Sequence, residues 1–313
     1  MRTWADLTGA QRTWAARQYR QDGHYQTIDR QLDIDPDARD CVYRQVRTWA
    51  DAQAAAEEYH ETHIAEAPEC ARRWTDHITV AGDHLILADA HIPFHDADWM
   101  NRCVDLADKW GIRKVGMAGD LFDQGAFSFY GRQQGVEWRD EHDAAMQAVR
   151  ALLSRFEQVT ISQGNHEVRV IRKIAHALDI ADWNDMLYGE IHSPKLNVTP
   201  YHWFIVESGG QRYRVTHPRN ASITPGFVAA KVAEKYNTHV ITSHGHLNGW
   251  RRDTSDRLWC IDMGMCADLE RLAYVVTEDN TRPIMQQGAV LILDGIPALV
   301  TPDNITQYER MAA

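Results

Sequence analysis

No uncharged apolar run in the 313 residues approaches the roughly 18–20 that a membrane-spanning helix needs. The opening stretch, MRTWADLTGAQR, has no apolar signal core, so neither membrane insertion nor signal-directed secretion is expected. Cysteine is sparse and unpatterned. Cys41, Cys70, Cys103, Cys260 and Cys266 form no C-x-x-C pair, and their odd number does not suggest a disulfide framework. A reducing cytoplasm is the expected setting. Positive charge is also in deficit: the formal net charge of −11 argues against broad attraction to nucleic acid but leaves room for a local basic patch. Internal repeats and low-complexity segments are absent. What the chain has in quantity is histidine, sixteen in all, which invites a search for metal ligands.

The length allows one large domain with an appendage. Residues 1–52 contain no lysine and are rich in Arg, Gln and Trp. Helices are expected over 8–21, 25–32 and 38–55, separated by DGH (22–24) and DIDPDA (33–38), the second carrying turn and N-cap chemistry. Such a trio resembles a helix-turn-helix module; the alternative is a small bundle used for oligomerisation or for packing on the main domain. The expected recognition helix mixes Asp37 and Asp40 with Arg39, Arg44 and Arg47, which weakens a DNA-reading assignment. Residues 53–76 read as an acidic helical connector, and 77–313 as the main domain. There, strands are expected over 84–88, 113–118, 158–162, 203–207, 212–216, 239–243, 258–262 and 289–294, with helices over 97–110, 137–156, 167–178 and 226–236. Strand–helix alternation implies a largely parallel sheet, and the crowded later strands imply a second, mixed sheet packed on it.

The stretch HLILADAH (84–91) ends an apolar strand in Asp89 and His91, two residues apart. Pleat alternation would send both side chains to one face. Alone, this is ordinary turn chemistry. The pattern repeats, however: GDLFD places Asp120 and Asp123, GNHE places Asn165, His166 and Glu167, VTHP places His217, and SHGH places His244 and His246. Five strands each followed by Asp, Asn or His form a set that chance does not readily produce. Carboxylate, imidazole and one amide, without thiolate, suit Mn, Fe, Zn or Ni. Seven candidate ligands are too many for one ion and suit two that share a carboxylate, the arrangement that assists phosphoester hydrolysis.

In that order, D-x-H, G-D-x-x-D, G-N-H-E, a lone His and H-x-H resemble the calcineurin-like metallophosphoesterases over about residues 80–300. The contexts DAHIPFHD (89–96), GNHEVR (164–169) and QQG (286–288) look like a branch often encoded by bacteriophages. The resemblance implies an α/β fold of two mixed β-sheets sandwiched between helices. It implies two divalent ions, most readily Mn, with Asp89, His91 and His246 at the first, Asn165, His217 and His244 at the second, and Asp120 bridging. A bridging hydroxide would be the nucleophile. His166 would face the leaving group as acid or electrostatic stabiliser, oriented by Asp123, whose carboxylate is expected to raise the imidazole's pKa.

Three departures stand out. Ser243 replaces the family's usual glycine in G-H-x-H, for which a modest backbone change with intact ligation is expected. Against the phosphoprotein phosphatases, Ile92 replaces the glycine of D-x-H-G, and Gln124 stands where their phosphate-gripping arginine would be. A dianionic monoester gains more from that arginine than a monoanionic diester. The expected substrate is therefore a phosphodiester such as DNA or a nucleotide, with Arg169, Arg219 or Arg251 as alternative sources of charge. A phosphomonoesterase or protein phosphatase is the second reading. The third is a non-catalytic DNA- or partner-binding protein, with the N-terminal helices also offering a homo-oligomer contact. His95 is a candidate to line the cleft, and Phe127, Phe129 and Tyr130 are candidates to stack a base or to pack on the 137–156 helix.

Overall fold

The computed structural model describes residues 1–62, 74–128, 135–174, 177–277 and 281–312. The chain divides into two compact units, Met1–Trp74 and Thr75–Ala313. The smaller contains α1 (Gly9–Asp22), α2 (Gln26–Leu32) and α3 (Arg39–Thr62). Thr8 caps α1, accepting from Gln11 N, and left-handed Gly23 ends it. Ile28, Leu32, Val42 and Val46 close a small core with Leu7 and Ala15. The helix α3 runs unbroken past residue 52, where the sequence places a boundary. Its AQAAAEE stretch supplies the strongest helix formers there, so nothing interrupts the backbone ladder.

The larger unit follows the order β1 (Thr79–Ala81), β2 (His84–Leu87), α4 (Ala97–Lys109), β3 (Lys114–Ala118), α5 (Trp138–Arg155), β4 (Gln158–Ser162), α6 (Arg169–Lys173), α7 (Ile180–Tyr188), β5 (Leu196–Val198), β6 (Trp203–Ser208), β7 (Gln211–Thr216), α8 (Phe227–Tyr236), β8 (His239–Thr242), β9 (Asn248–Arg252), β10 (Trp259–Met263), α9 (Ala273–Val276), β11 (Ala289–Leu293), β12 (Ile296–Val300) and α10 (Ile305–Met311). The strands form two mixed six-stranded sheets, β1-β6-β7-β8-β10-β9 and β12-β11-β2-β3-β4-β5. In the second, β2, β3, β4 and β5 are parallel and β11 runs antiparallel to β2.

Alternation along β2 shows the layering. Leu85 and Leu87 face α4 and α5, while Ile86 faces the other sheet and packs with Phe204, Val215 and Ile241. Gly116 on β3 makes room for this contact, since a Cβ there would lie 2.5 Å from the Phe204 ring. On the far side, Ala229, Ala230 and Ala233 of α8 cover Val240 and Cys260. The result is helix, sheet, sheet, helix. The eight strands expected from the sequence are the eight interior ones. The four not anticipated, β1, β5, β9 and β12, are the four sheet edges. Edge strands bury less apolar surface and tolerate residues such as Pro297 in β12, which blunts their signal. The helix expected over 167–178 is likewise shortened to α6. Residues 164–168 are held in a turn described below, and residues 175 and 176 lie outside the described residues, as do His63, Phe129 and Tyr130.

His84 enters this core fully buried, its Nδ1 donating to Gly82 O at 2.7 Å and its Nε2 without a partner. Burial pushes its pKa from 6.5 down to about 4. The unfolded chain protonates His84 near pH 6.5 and the folded chain only near pH 4, so stability is lost as pH falls through that window. Linkage puts the loss at about 3 kcal/mol. His84→Asn keeps a donor for Gly82 O and removes the titration. Urea unfolding at pH 8 and pH 4 should show the variant losing about 3 kcal/mol less than the wild type between the two. Equal losses would rule out His84 as a source of acid sensitivity.

Candidate metal centre

The loops that carry the sequence candidates leave the carboxyl ends of β2, β3, β4, β7 and β8. Because β2, β3 and β4 are parallel neighbours, and so are β7 and β8, five loops emerge together. The geometry at Asp89 and His91 differs from the sequence argument. β2 ends at Leu87, and both residues are left-handed (φ 49° and 48°), so backbone coiling rather than pleat alternation brings their side chains inward. Asp120 (φ 50°), His244 (φ 74°) and His246 (φ 53°) share that conformation. It costs non-glycine residues on the order of 1–2 kcal/mol each and persists only where the surroundings over-determine it. Here the loops after β2 and β3 bind each other: Asp89 N to Gly119 O (3.1 Å), His91 N to Asp120 O (3.0 Å) and Asp123 N to Ile92 O (3.1 Å). Ser243, in the glycine's place, is buried and donates its hydroxyl to Ala118 O at 2.7 Å.

Three sets of side chains converge, each with ligand-competent atoms within 4.8 Å of one another: Asp89, His91 and His246; Asp120, His217 and His244; and His91, Asp123 and His166. The first two are joined through His217, whose Nε2 lies 3.3 Å from Asp89 Oδ1 and 3.1 Å from Asp120 Oδ2. The ring nitrogens His91 Nε2 and His246 Nε2 face each other at 3.3 Å, with Asp89 Oδ1 3.3 Å from the latter. Asn165 joins the same cleft, its Oδ1 buried and without a hydrogen-bond donor. An unsatisfied amide oxygen beside buried carboxylates and imidazoles is a donor set that fits divalent ions.

Burial opposes ionisation of Asp89, Asp120 and Asp123, yet the surrounding histidines hold all three below the usual carboxylate range. His217 is pushed well above its ordinary value, since Asp120 and Asp89 outweigh its burial. His244 is drawn down to about 4 by burial and by His217.

His166 corrects an expectation. Asp123 Oδ1 does approach its Nδ1, at 3.4 Å, and acts upward. Burial nevertheless prevails, with His91 and Arg169 pushing the same way, and the pKa falls. Of the two imidazoles that Asp123 touches, the raised one is His91, where the Asp123, Asp120 and Asp89 charges together exceed the burial cost. The bonds around His166 settle its tautomer: Nδ1 donates to Asp123 O at 2.7 Å, and Nε2 accepts from Arg169 Nη2 at 2.7 Å. Arg169 Nη1 also donates to Asp123 O at 2.7 Å. Of the three arginines considered as charge sources, Arg169 is thus in contact with the centre. Gln124 is fully buried, with both polar side-chain atoms unpartnered, and does not line the cleft. Neither does His95, while Phe127 packs edge-on against Trp138 at 5.4 Å.

Glu167 is absent from the sequence-based site assignment although it belongs to the quoted GNHE. Fully buried, it accepts from Gly164 N (2.7 Å) and Asp120 N (3.1 Å) through Oε2 and from Phe122 N (3.2 Å) through Oε1. The loops after β3 and β4 are tied together this way. Gly164 permits it, because a Cβ there would lie 2.0 Å from Asp120 Oδ1. The cleft above holds about 390 Å³, with Ile223, Leu247 and Met285 as apolar walls and Arg282 at the side.

No family model matches the chain, and no curated protein matches it. Solved structures do. Vps29 of Chaetomium thermophilum aligns with TM-score 0.37 and 12% identity over 67% of this chain and 83% of that one. YfcE, a phosphoesterase from E. coli, gives 0.37 and 16% over 70% of this chain and 98% of its own. Vps29 of Cryptosporidium parvum gives 0.39 and 13% over 70% and 95%.

Replacing Glu167 by Ala leaves three buried N–H groups without an acceptor. A loss of about 3 kcal/mol or more is expected in urea unfolding of the metal-free chain, with Glu167→Gln losing clearly less because one acceptor oxygen remains. A Glu167→Ala loss below about 1 kcal/mol would show that the loops hold together without it.

Proposed function

We propose that the chain is a metal-dependent phosphoric ester hydrolase of the calcineurin-like metallophosphoesterase type, holding two divalent ions and acting on phosphodiesters of DNA or nucleotides. The carrying observation is the pair of ligand sets, Asp89/His91/His246 and Asp120/His217/His244, joined at His217 on a strained, buried backbone. Asn165 and a shared Asp120 complete the proposed second site. Bound ions would neutralise charge on the phosphoryl oxygens and generate a nucleophile from water at neutral pH.

The protein's own groups then divide the remaining work. Asp89, Asp120 and Asp123 supply negative charge that offsets the dications. His166 and Arg169 present a joined pair at the cleft's side, the imidazole Nε2 held by the guanidinium. In that arrangement His166 carries its proton on Nδ1, committed to Asp123 O, and has none on Nε2 to donate, so a leaving oxygen would be met by the imidazole–guanidinium pair with its positive charge on Arg169. With Gln124 withdrawn into the core, its position supplies no contact for a dianionic monoester, which supports the diester reading.

Metal analysis after loading with Mn is expected to show two ions per chain, with bis-p-nitrophenyl phosphate hydrolysed faster than the monoester. Asp120→Asn should cost more activity than loss of any other ligand, since it weakens both sites at once. Saturation at one ion with full turnover would overturn the two-metal reading, and metal-independent turnover would overturn the hydrolase assignment itself.

His166→Ala separates leaving-group chemistry from metal binding. The variant should retain its metals and lose about 10²–10³-fold on a dinucleotide, whose alkoxide departs poorly and depends on the charge of the pair. A clearly smaller loss is expected on bis-p-nitrophenyl phosphate. Equal losses on both substrates, or loss of a metal, would reassign His166 as ligand or positioning group.

A further inference from the structure

A second cavity lies on the outer face of the β6–β7 sheet and shares no lining residue with the metal centre. The helix α8 covers β8 and β10 and stops at Tyr236. Beside it, about 590 Å³ is left open, a volume in the range of small-molecule sites. Arg212, Arg214 and Arg257 line it, with His77 and His239, and among the described residues no carboxylate does. On a chain of net charge −11 this local excess of cations is a marked reversal of sign.

Arg214 defines the site. Its guanidinium carbon lies 3.5 Å from the Trp203 ring centroid and 4.1 Å from that of Tyr236, so both rings hold its planar head. Stacking occupies the faces of a guanidinium but not the N–H donors around its edge. Among the described residues no hydrogen bond or ion pair takes those donors, and burial pushes the group below its ordinary pKa with no carboxylate to offset it. The other cations are differently placed. Arg212 pairs with Glu207 at 3.4 Å on the exposed rim, and Arg257 Nε bonds Ser255 Oγ at 2.9 Å. His239 is committed, its Nε2 to Gln211 Oε1 (2.8 Å) and its Nδ1 accepting from Trp259 N (3.0 Å). What remains unmet is one fixed, edge-on fork with a second guanidinium nearby, a geometry suited to two oxygens of a phosphate. Tyr236, 47% exposed, offers ring surface for a base beside its contact with Arg214, and Lys235 Nζ, 5.1 Å from its centroid, adds a further cation at the rim.

We propose that this cavity is an anion site for a nucleoside phosphate, with the phosphate held by the edge of Arg214 and assisted by Arg257. The same chemistry is offered by a free nucleotide and by the 5′-phosphorylated end of a single strand.

Calorimetric titration of the full-length, metal-loaded chain with adenosine 5′-monophosphate, and with 5′-phosphorylated and 5′-hydroxyl oligothymidine, tests it. A binding component is expected that Arg214→Gln weakens at least about tenfold and that adenosine lacks. Arg214→Lys should recover only part of it, because the charge returns without the fork. Any component that Arg214→Gln leaves intact belongs elsewhere, so hydrolysis at the metal centre does not enter the result. Loss of the nucleotide component identifies a free nucleotide as ligand, whereas loss confined to the phosphorylated strand identifies a nucleic-acid end. Should Arg214→Gln fail to fold, the exposed Arg257→Gln is expected to weaken the same component several-fold. Titrations unchanged by these substitutions, equal binding of adenosine, or no phosphate-dependent component would each overturn the proposal.

Discussion

The carboxylate of Glu167 is the fastening on which the rest of the site depends. Its two oxygens gather backbone N–H groups from Asp120, Phe122 and Gly164, so the turn after β4 and the loop after β3 cannot separate. Asp120 is thereby placed so that its Oδ1 receives the His166 N–H at 2.8 Å while Oδ2 reaches His217. The fastening is itself fixed, since Trp183 Nε1 donates to Glu167 O at 2.9 Å from α7. Burial raises the Glu167 pKa to about 7, showing how much solvation this carboxylate gives up for its place.

Around that point the molecule concentrates what a relaxed fold avoids. Five left-handed residues at metal-competent positions, two buried aspartates and closely opposed imidazoles occur within a few loops. None would be stable on an isolated turn. They are carried by the apolar layers on either side of β2 and β3, where Leu85, Ile86, Leu87, Val115 and Met117 are fully buried. Rigid strands supply the anchor points, and the strain is confined to the connections that reach the cleft.

Charge is distributed with the same locality. Carboxylates collect at the strand ends and arginines at the outer face of the other sheet, although the overall balance is strongly negative. Net charge describes the long-range field of the chain. Recognition by a cleft depends on the few groups that line it and on whether their partners already lie within the protein.

The interior strands were legible because apolar runs and pleat periodicity are local properties of a segment. The metal-competent residues were legible as well, since their types and order are written at successive strand ends. The edge strands β1, β5, β9 and β12 were not, because half of an edge strand's hydrogen bonding and much of its apolar burial is missing. Residue types and their order along the chain name the side chains that could meet: Asp89, His91, Asp120, Asn165, His217, His244 and His246. How they meet is a matter of packing between segments. The left-handed turns at Asp89 and His91, the contact of His217 with Asp89 across 128 residues of chain, and the Arg169 bond that sets the His166 tautomer all arise between separate segments. So do the withdrawal of Gln124 and the caging of Arg214 by Trp203 and Tyr236. Each depends on distances set by packing, and no local pattern encodes a distance between residues that only folding brings together.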